Sequence, residues 1–293
     1  MERPTQRSGC HTAQVKIGVT LFQTDVCPPP AFVARAAEER GFSSYFVPEH
    51  THIPVSRATP WPMNADVPLP DSYSRVLDPY VGLATAAQAT STIRLGTGVA
   101  LVVEHDPIAL AKQIATLDFL SGGRFVFGIG FGWNREEMSD HKVAFGERRE
   151  ITRESVLAMS ALWRDDVAAY SGRRLRLSPS WAWPKTVQQP RPPVLLGGGA
   201  GPRLFAAIAD YADGWLPIGG SGLTESMPKL RDAWQQAGRS GEPIVMPYGV
   251  LPNEGKLAHY AELGIEEIVV NLQEGDEDTV LRSLDSHTQF VSR

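Results

Sequence analysis

Short β-branched apolar runs alternate along the chain with stretches of helical periodicity. The runs are Val15–Leu21, Ser44–Val47, Ile93–Thr97, Phe125–Gly130, Val194–Gly197, Gly214–Ile218, Ile244–Tyr248 and Glu267–Asn271, eight in all. They are apolar nearly throughout, as strands covered on both faces are. Between them, apolar positions step by three and four. Leu110, Ile114, Leu117 and Ser121 form one stripe, opened by Asp106-Pro107 and closed by Gly122-Gly123. Leu204, Phe205, Ile208, Ala209 and Ala212 form a second. Helices are also predicted from Phe32 to Arg40 and from Glu147 to Trp163. Strand–helix alternation predicts a parallel sheet, and eight units predict a closed (β/α)8 TIM barrel.

The spacing is uneven, which predicts long loops after strands 2 and 4. Thr51–Asp78 carries five prolines and Trp61. It reads as an irregular loop over the C-terminal mouth of the barrel. Asp165–Pro193 carries Trp181, Trp183 and five more prolines, and reads as a second excursion. The polar, aperiodic start, 1–14, reads as a disordered leader without the apolar stretch of a secretory signal, leaving 15–293 as one barrel domain.

Composition narrows the function classes. The chain has 293 residues, 42% of them hydrophobic and 21% charged, enough apolar content for a large core. The net charge of −5 gives no basic surplus for nucleic-acid binding. No apolar run approaches the ~18 residues of a membrane span. Cys10 and Cys27 are the only cysteines, so a disulfide framework is excluded and a reducing cytoplasm is the simplest compartment.

Candidate chemistry collects just past the strands, where a barrel places its active site. Glu49, His50 and His52 follow the second strand. His50-Thr-His52 could be read as a metal-ligating pair, but the rest of a metal set is missing, so no metal is expected. Gly128-Ile-Gly130-Phe-Gly132-Trp133 closes the fourth strand. It lacks the third spaced glycine of a dinucleotide fingerprint. Its glycines either admit a flat ligand or let the strand bend. Gly197-Gly198-Gly199-Ala200-Gly201 lies between the fifth strand and a helix, followed by Arg203. Successive glycine N–H groups and a helix N-terminus favour a phosphate, although barrels commonly place phosphate after strands seven and eight. Trp61 and Trp133 fall on mouth loops and could wall a planar cofactor or substrate.

Several segments together resemble the luciferase-like monooxygenase superfamily. They are Ile93-Arg-Leu-Gly-Thr-Gly-Val99, Asp106-Pro107-Ile-Ala-Leu-Ala-Lys112-Gln113, Leu117-Asp118-Phe-Leu-Ser-Gly-Gly-Arg124 and Gly128-Ile-Gly130-Phe-Gly132-Trp133-Asn134-Arg-Glu-Glu137. Glu49-His50 and Ala212-Asp213-Gly214-Trp215 match as well. Trp181-Ala-Trp183-Pro184-Lys185 with Pro192-Pro193-Val-Leu-Leu-Gly-Gly is similar to the subgroup that uses the deazaflavin coenzyme F420. One departure stands at Met138–Phe145, where many members carry Gly after the histidine.

The resemblance implies a (β/α)8 barrel that binds F420, or alternatively FMN, in its mouth, with the phosphate at Gly198, Gly199, Ala200, Gly201 and Arg203. It implies hydride transfer to or from a small organic substrate, with FMN members going on to activate oxygen; a non-catalytic flavin-binding relative is a third reading. His50 and Glu49 would lie at the reactive ring. Gly98, Val99, Gly130, Gly132 and Trp133 would contact the cofactor, and Trp61 and His52 the substrate. It further implies a cis peptide at Gly98–Val99, with Val99 facing the pocket, and a homodimer.

Overall fold

The computed structural model describes residues 14–291. The leader expected over 1–14 therefore lies, except for Gln14, outside the described residues. Three βα units open the chain: β1 (Lys16–Thr20) and α1 (Pro30–Glu39), then β2 (Ser44–Val47) with the one-turn α2 (Ser72–Arg75) and α3 (Pro79–Ala89), then β3 (Arg94–Thr97) and α4 (Pro107–Ser121). Next come β4 (Phe125–Ile129), α5 (Arg135–Asp140), α6 (Arg148–Arg164) and the hairpin strands β5 (Ala168–Ser171) and β6 (Arg176–Ser180). The last four units are β7 (Val194–Gly197) and α7 (Pro202–Tyr211), β8 (Gly214–Leu216) and α8 (Leu223–Gln236), β9 (Ile244–Val245) and α9 (Glu254–Glu262), and β10 (Glu267–Asn271) and α10 (Glu277–His287).

Eight strands form one parallel sheet in the order β10-β1-β2-β3-β4-β7-β8-β9. The sheet closes between its ends, where Tyr248 bridges Val269 and the Val269 N–H donates to the Pro247 carbonyl at 2.8 Å. The expected TIM barrel is thus present. Two strands are shorter than expected, and proline is the reason. Pro217 and Pro247 have no N–H to offer a ladder, so β8 and β9 stop short and pairing resumes only as the Ile218–Tyr248 bridge. The stretch read as a second excursion holds the antiparallel β5–β6 hairpin. Its turn is pinned by buried Glu154, whose carboxylate accepts the N–H groups of Arg173, Arg174 and Leu175 at 2.7–2.8 Å.

Phe46, Val126, Leu195, Leu216, Met246 and Val269 pack inside the barrel. Gly96 on β3 makes room for this layer, because a Cβ there would strike the Phe46 ring. Truncating Phe46 to Ala should cost about 3–5 kcal/mol. Below this layer, Ser43 and Ser44 donate to Glu267 at 2.6 and 2.5 Å, and Arg94 pairs with the same carboxylate. The floor is therefore plugged, and ligand access is from the C-terminal ends. Helix α4 begins as the sequence predicts: Asp106 accepts the N–H groups of Ile108 and Ala109, and Gly122 ends the helix at φ +65°. Among the described residues, no helix is long and apolar enough to cross a membrane.

Candidate active site at the barrel mouth

The strand ends bring the expected residues to one rim. The Gly98–Val99 peptide, just past β3, is cis. Val99 packs on the inner barrel layer, and its methyls occupy the space that a Cβ on Gly130 or Gly197 would need. Tyr248 lies against Gly98, stacks edge-on with Phe46 and hydrogen-bonds the Thr20 hydroxyl. Burial raises the Tyr248 pKa, so its phenol stays protonated.

Glu49 and His50 are neighbours in sequence with different partners. The Glu49 carboxylate accepts the Leu101 N–H at 2.6 Å and pairs with His105 Nε2 at 2.7 Å. It ties β2 to the loop after β3. Burial alone would lower the His105 pKa, but the hydrogen bond and charge of Glu49 outweigh it and raise it. His50 turns to α5, where Nδ1 lies 2.8 and 3.1 Å from the Glu137 oxygens. The Thr51 N–H also donates to Glu137, at 3.2 Å. An ionised carboxylate only accepts, so Nδ1 carries the proton and Nε2 is the nitrogen free to act on a ligand. Tyr73 (5.2 Å) and Trp133 (5.8 Å) wall the His50 ring. Trp61 donates its indole N–H to the Tyr73 hydroxyl at 2.9 Å. His50, Tyr73, Trp133 and Trp61 thus form one aromatic wall, of which Tyr73 was not anticipated.

A third carboxyl lies among these groups. Glu104, in the short turn after β3, has a side chain only 1% exposed. Its Oε2 lies 3.5 Å from the Thr51 hydroxyl and 3.8 Å from His141 Nε2, while buried Oε1 has no donor. Burial, with Glu137 and Glu49 close by, pushes its pKa up to about 9. A neutral Glu104 avoids a third buried negative charge beside Glu49 and Glu137. At the outer rim, the Thr51 hydroxyl lies 2.7 Å from His141 Nε2 and 3.0 Å from His52 Nδ1. His52 Nε2 pairs with exposed Asp140 at 2.9 Å. The structure thus places His52 on the exposed rim. The histidine in the segment that departs from the family pattern, His141, is joined to Thr51. Among the described residues, no group of three or more His, Cys, Asp or Glu side chains is placed to hold a metal.

Three strands round the sheet from β2 lies the Gly-rich turn after β7. Gly198 has φ +140°, a backbone that disfavours side chains, and its carbonyl accepts the Trp215 indole N–H at 2.9 Å. Trp215, the last residue of the Ala212–Trp215 segment that matches the family pattern, anchors the turn. A Cβ on Gly199 or Gly201 would meet nothing within 4 Å. The N–H groups of Gly199, Ala200 and Gly201 make no hydrogen bond among the described residues. Arg203 is exposed on the first turn of α7. Open space, free N–H groups and a helix N-terminus fit a phosphate. Gly132 differs: it has φ +72°, and a Cβ there would strike Met138, so it serves the turn into α5.

Residues 31–251 match the family model described as luciferase-like monooxygenase. An uncharacterized protein of Mycobacterium tuberculosis is 47% identical over 278 residues, covering 94% of this chain and 96% of that one. An F420-dependent glucose-6-phosphate dehydrogenase of Kineococcus radiotolerans is 28% identical over 239 residues, covering 78% and 65%. The crystal structure of a monooxygenase from Streptomyces bottropensis superposes with a TM-score of 0.73 at 21% identity, covering 94% and 98%. Relatives and structural neighbours include both F420-dependent oxidoreductases and an FMN-bound monooxygenase. With the barrel, the mouth residues and this match in agreement, the chain belongs to the luciferase-like monooxygenase family.

Proposed function

We propose that this protein is a cytoplasmic oxidoreductase that exchanges a hydride between F420 and a small organic substrate. The observation that carries the reading is His50, oriented by Glu137 inside an aromatic wall, on the same barrel rim as a vacant-sided Gly-rich turn. Relatives named as F420-dependent, at 25–28% identity, support the choice of coenzyme. Gly198–Gly201 would hold its phosphate. Val99, Gly98 and Gly130 would support its ring, and Trp133, Tyr73 and Trp61 would shield it from water. The coenzyme supplies the hydride chemistry. His50 Nε2 holds or delivers the proton at the substrate oxygen, and the carboxylate at Nδ1 keeps the ring in that tautomer. Glu49 fixes the loop carrying Gly98 and Val99.

Titrating the protein with F420 and separately with FMN, while following tryptophan fluorescence, tests the reading. Saturable quenching by F420 alone is expected, with Trp133 as the main reporter. Saturable binding of FMN alone would replace it with the monooxygenase reading. Binding of neither would leave a non-catalytic relative.

A further inference from the structure

We propose that the reactant is a neutral alcohol with an apolar body, held against a ring cluster centred on Tyr73 with its oxygen at His50. The inference rests on the functional reading above, in which His50 handles a proton at the substrate oxygen, and it names the substrate class for that site. Tyr73 meets four rings supplied by three loops. Its ring centroid is 4.8 Å from Phe22 after β1, 5.2 Å from His50 and 6.1 Å from Trp61 after β2, and 6.2 Å from Trp133 after β4. Phe22, Trp61, Tyr73 and Trp133 are each only half-buried, so the cluster keeps uncovered apolar surface. Both ends of the mouth loop that carries Tyr73 are fastened. Thr24 bridges Val76, and the Leu77 N–H donates to the Gln23 carbonyl at 2.8 Å, which ties the turn of Tyr73 to the loop of Phe22. Gln23 is itself buried and accepts the Tyr45 hydroxyl at 2.5 Å. Nearer the start of the loop, Glu136 accepts the Ala58 N–H at 2.8 Å and the Thr59 hydroxyl at 2.6 Å. An apolar wall fixed in this way takes a ligand at little ordering cost.

Few polar atoms of the cluster are left to recognise a ligand. The Tyr73 hydroxyl takes the Trp61 indole N–H, and His50 Nδ1 is held by Glu137. Among the described residues, His50 Nε2 and the Trp133 indole N–H have no partner, and neither atom is buried. With the proton on Nδ1, Nε2 is an acceptor and takes an O–H. An alcohol supplies that donor. The rest of the wall is ring carbon, which rewards an apolar body and penalises further hydroxyls. Charge points the same way. Arg75, on the turn of Tyr73, is already held by both oxygens of Asp25 at 2.8 Å. Burial, with Glu274 nearby, raises the Tyr73 pKa and keeps its phenol neutral. A phosphate or carboxylate on the reactant would meet Glu137 and Glu274 rather than a free cation on this turn. The reaction balances for an alcohol. Its O–H breaks and the proton goes to His50 Nε2; its C–H breaks and the hydrogen leaves with the bonding pair, as hydride, to F420; the C=O bond forms. The alcohol is oxidised by two electrons and the coenzyme is reduced by two.

Ligand-observed saturation-transfer NMR on the full chain, alone and with F420 added, tests the substrate class. The probes are the straight-chain alcohols butanol, pentanol and hexanol, with glycerol phosphate as the anionic rival. Each added methylene should tighten binding about fourfold, the equivalent of ~0.8 kcal/mol for a buried CH2. Glycerol phosphate should show no transfer. Tyr73→Ser and Phe22→Ser should flatten the series to less than about twofold per methylene, because the apolar surface is gone, while Tyr73→Phe keeps the native slope. Circular dichroism checks that each variant is folded. A flat series in the native protein, a slope untouched by both serine variants, or tighter binding of glycerol phosphate than of butanol overturns the proposal. If F420 binds and the series is flat, the substrate class fails and the functional reading stands. If neither F420 nor FMN binds while the slope keeps its dependence on Tyr73, the functional reading fails and the apolar site stands.

Discussion

Replacing Glu104 with Gln should change how stability depends on pH, with a sign fixed by the structure. Gln has the shape of the neutral carboxyl and can accept from Thr51 without a titrating proton. In the native protein the folded-state pKa is raised from 4.5 to about 9. Between those values the folded chain holds a proton that the unfolded chain has lost. Native stability is then full below about pH 4.5 and falls as pH rises, by about 1.4 kcal/mol per unit for one group. From about pH 5.5 to about pH 8 the native protein should lose on the order of 3 kcal/mol that the variant keeps. Urea unfolding of both proteins at the two pH values measures this directly. Curves that shift in parallel would show that Glu104 is ionised when folded.

His50→Ala should lower turnover by about 10²-fold or more while F420 affinity measured by fluorescence is largely kept. Gly199→Ala should fold normally, since its Cβ meets open space, yet weaken F420 binding at least about tenfold by occupying the cradle. Unchanged affinity with an unchanged circular dichroism spectrum would argue against a phosphate at that turn. Trp215→Phe removes the hydrogen bond to the Gly198 carbonyl and should weaken the same binding while costing about 0.5–1.5 kcal/mol of stability, read from unfolding curves. Light scattering should give twice the 32.0 kDa chain mass, since Val81, Ile108 and Phe119 on α3 and α4 are each more than half exposed.

The barrel was legible because its strands are apolar on both faces and its helices carry local signals such as Asp106-Pro107 and Gly122. The β5–β6 hairpin was not, because its residues are mostly exposed and its polar sequence shows no alternation. Its shape is fixed by Glu154, a helix residue whose partners lie about twenty positions on. The Gly-rich turn was legible as a turn, but the glycine with the special backbone is Gly198, while Gly199 is special only for the space around it. The carboxyl network was not legible. Glu104 follows the apolar run Ala100–Val103 with no local signal of its role, and the partner of His50 lies 87 positions away. Residues at that separation meet only because consecutive strand ends share one rim.

That shared rim also explains why a neutral carboxyl belongs here. Glu49, Glu104 and Glu137 arrive from the loops after β2, β3 and β4, and all three side chains are about 1% exposed. Glu49 has the Leu101 N–H and His105 as donors, and Glu137 has His50 and the Thr51 N–H. Glu104 has only the distant Thr51 hydroxyl and His141. Three carboxylates so close cannot all stay ionised out of water, and the proton settles on the one with fewest donors. With the proton on Glu104, Glu137 keeps the oxygens that the His50 ring and the Thr51 N–H meet. The tautomer of His50 is set by Glu137, so the change at Glu104 tests the neutral carboxyl while leaving the ring's own partner in place.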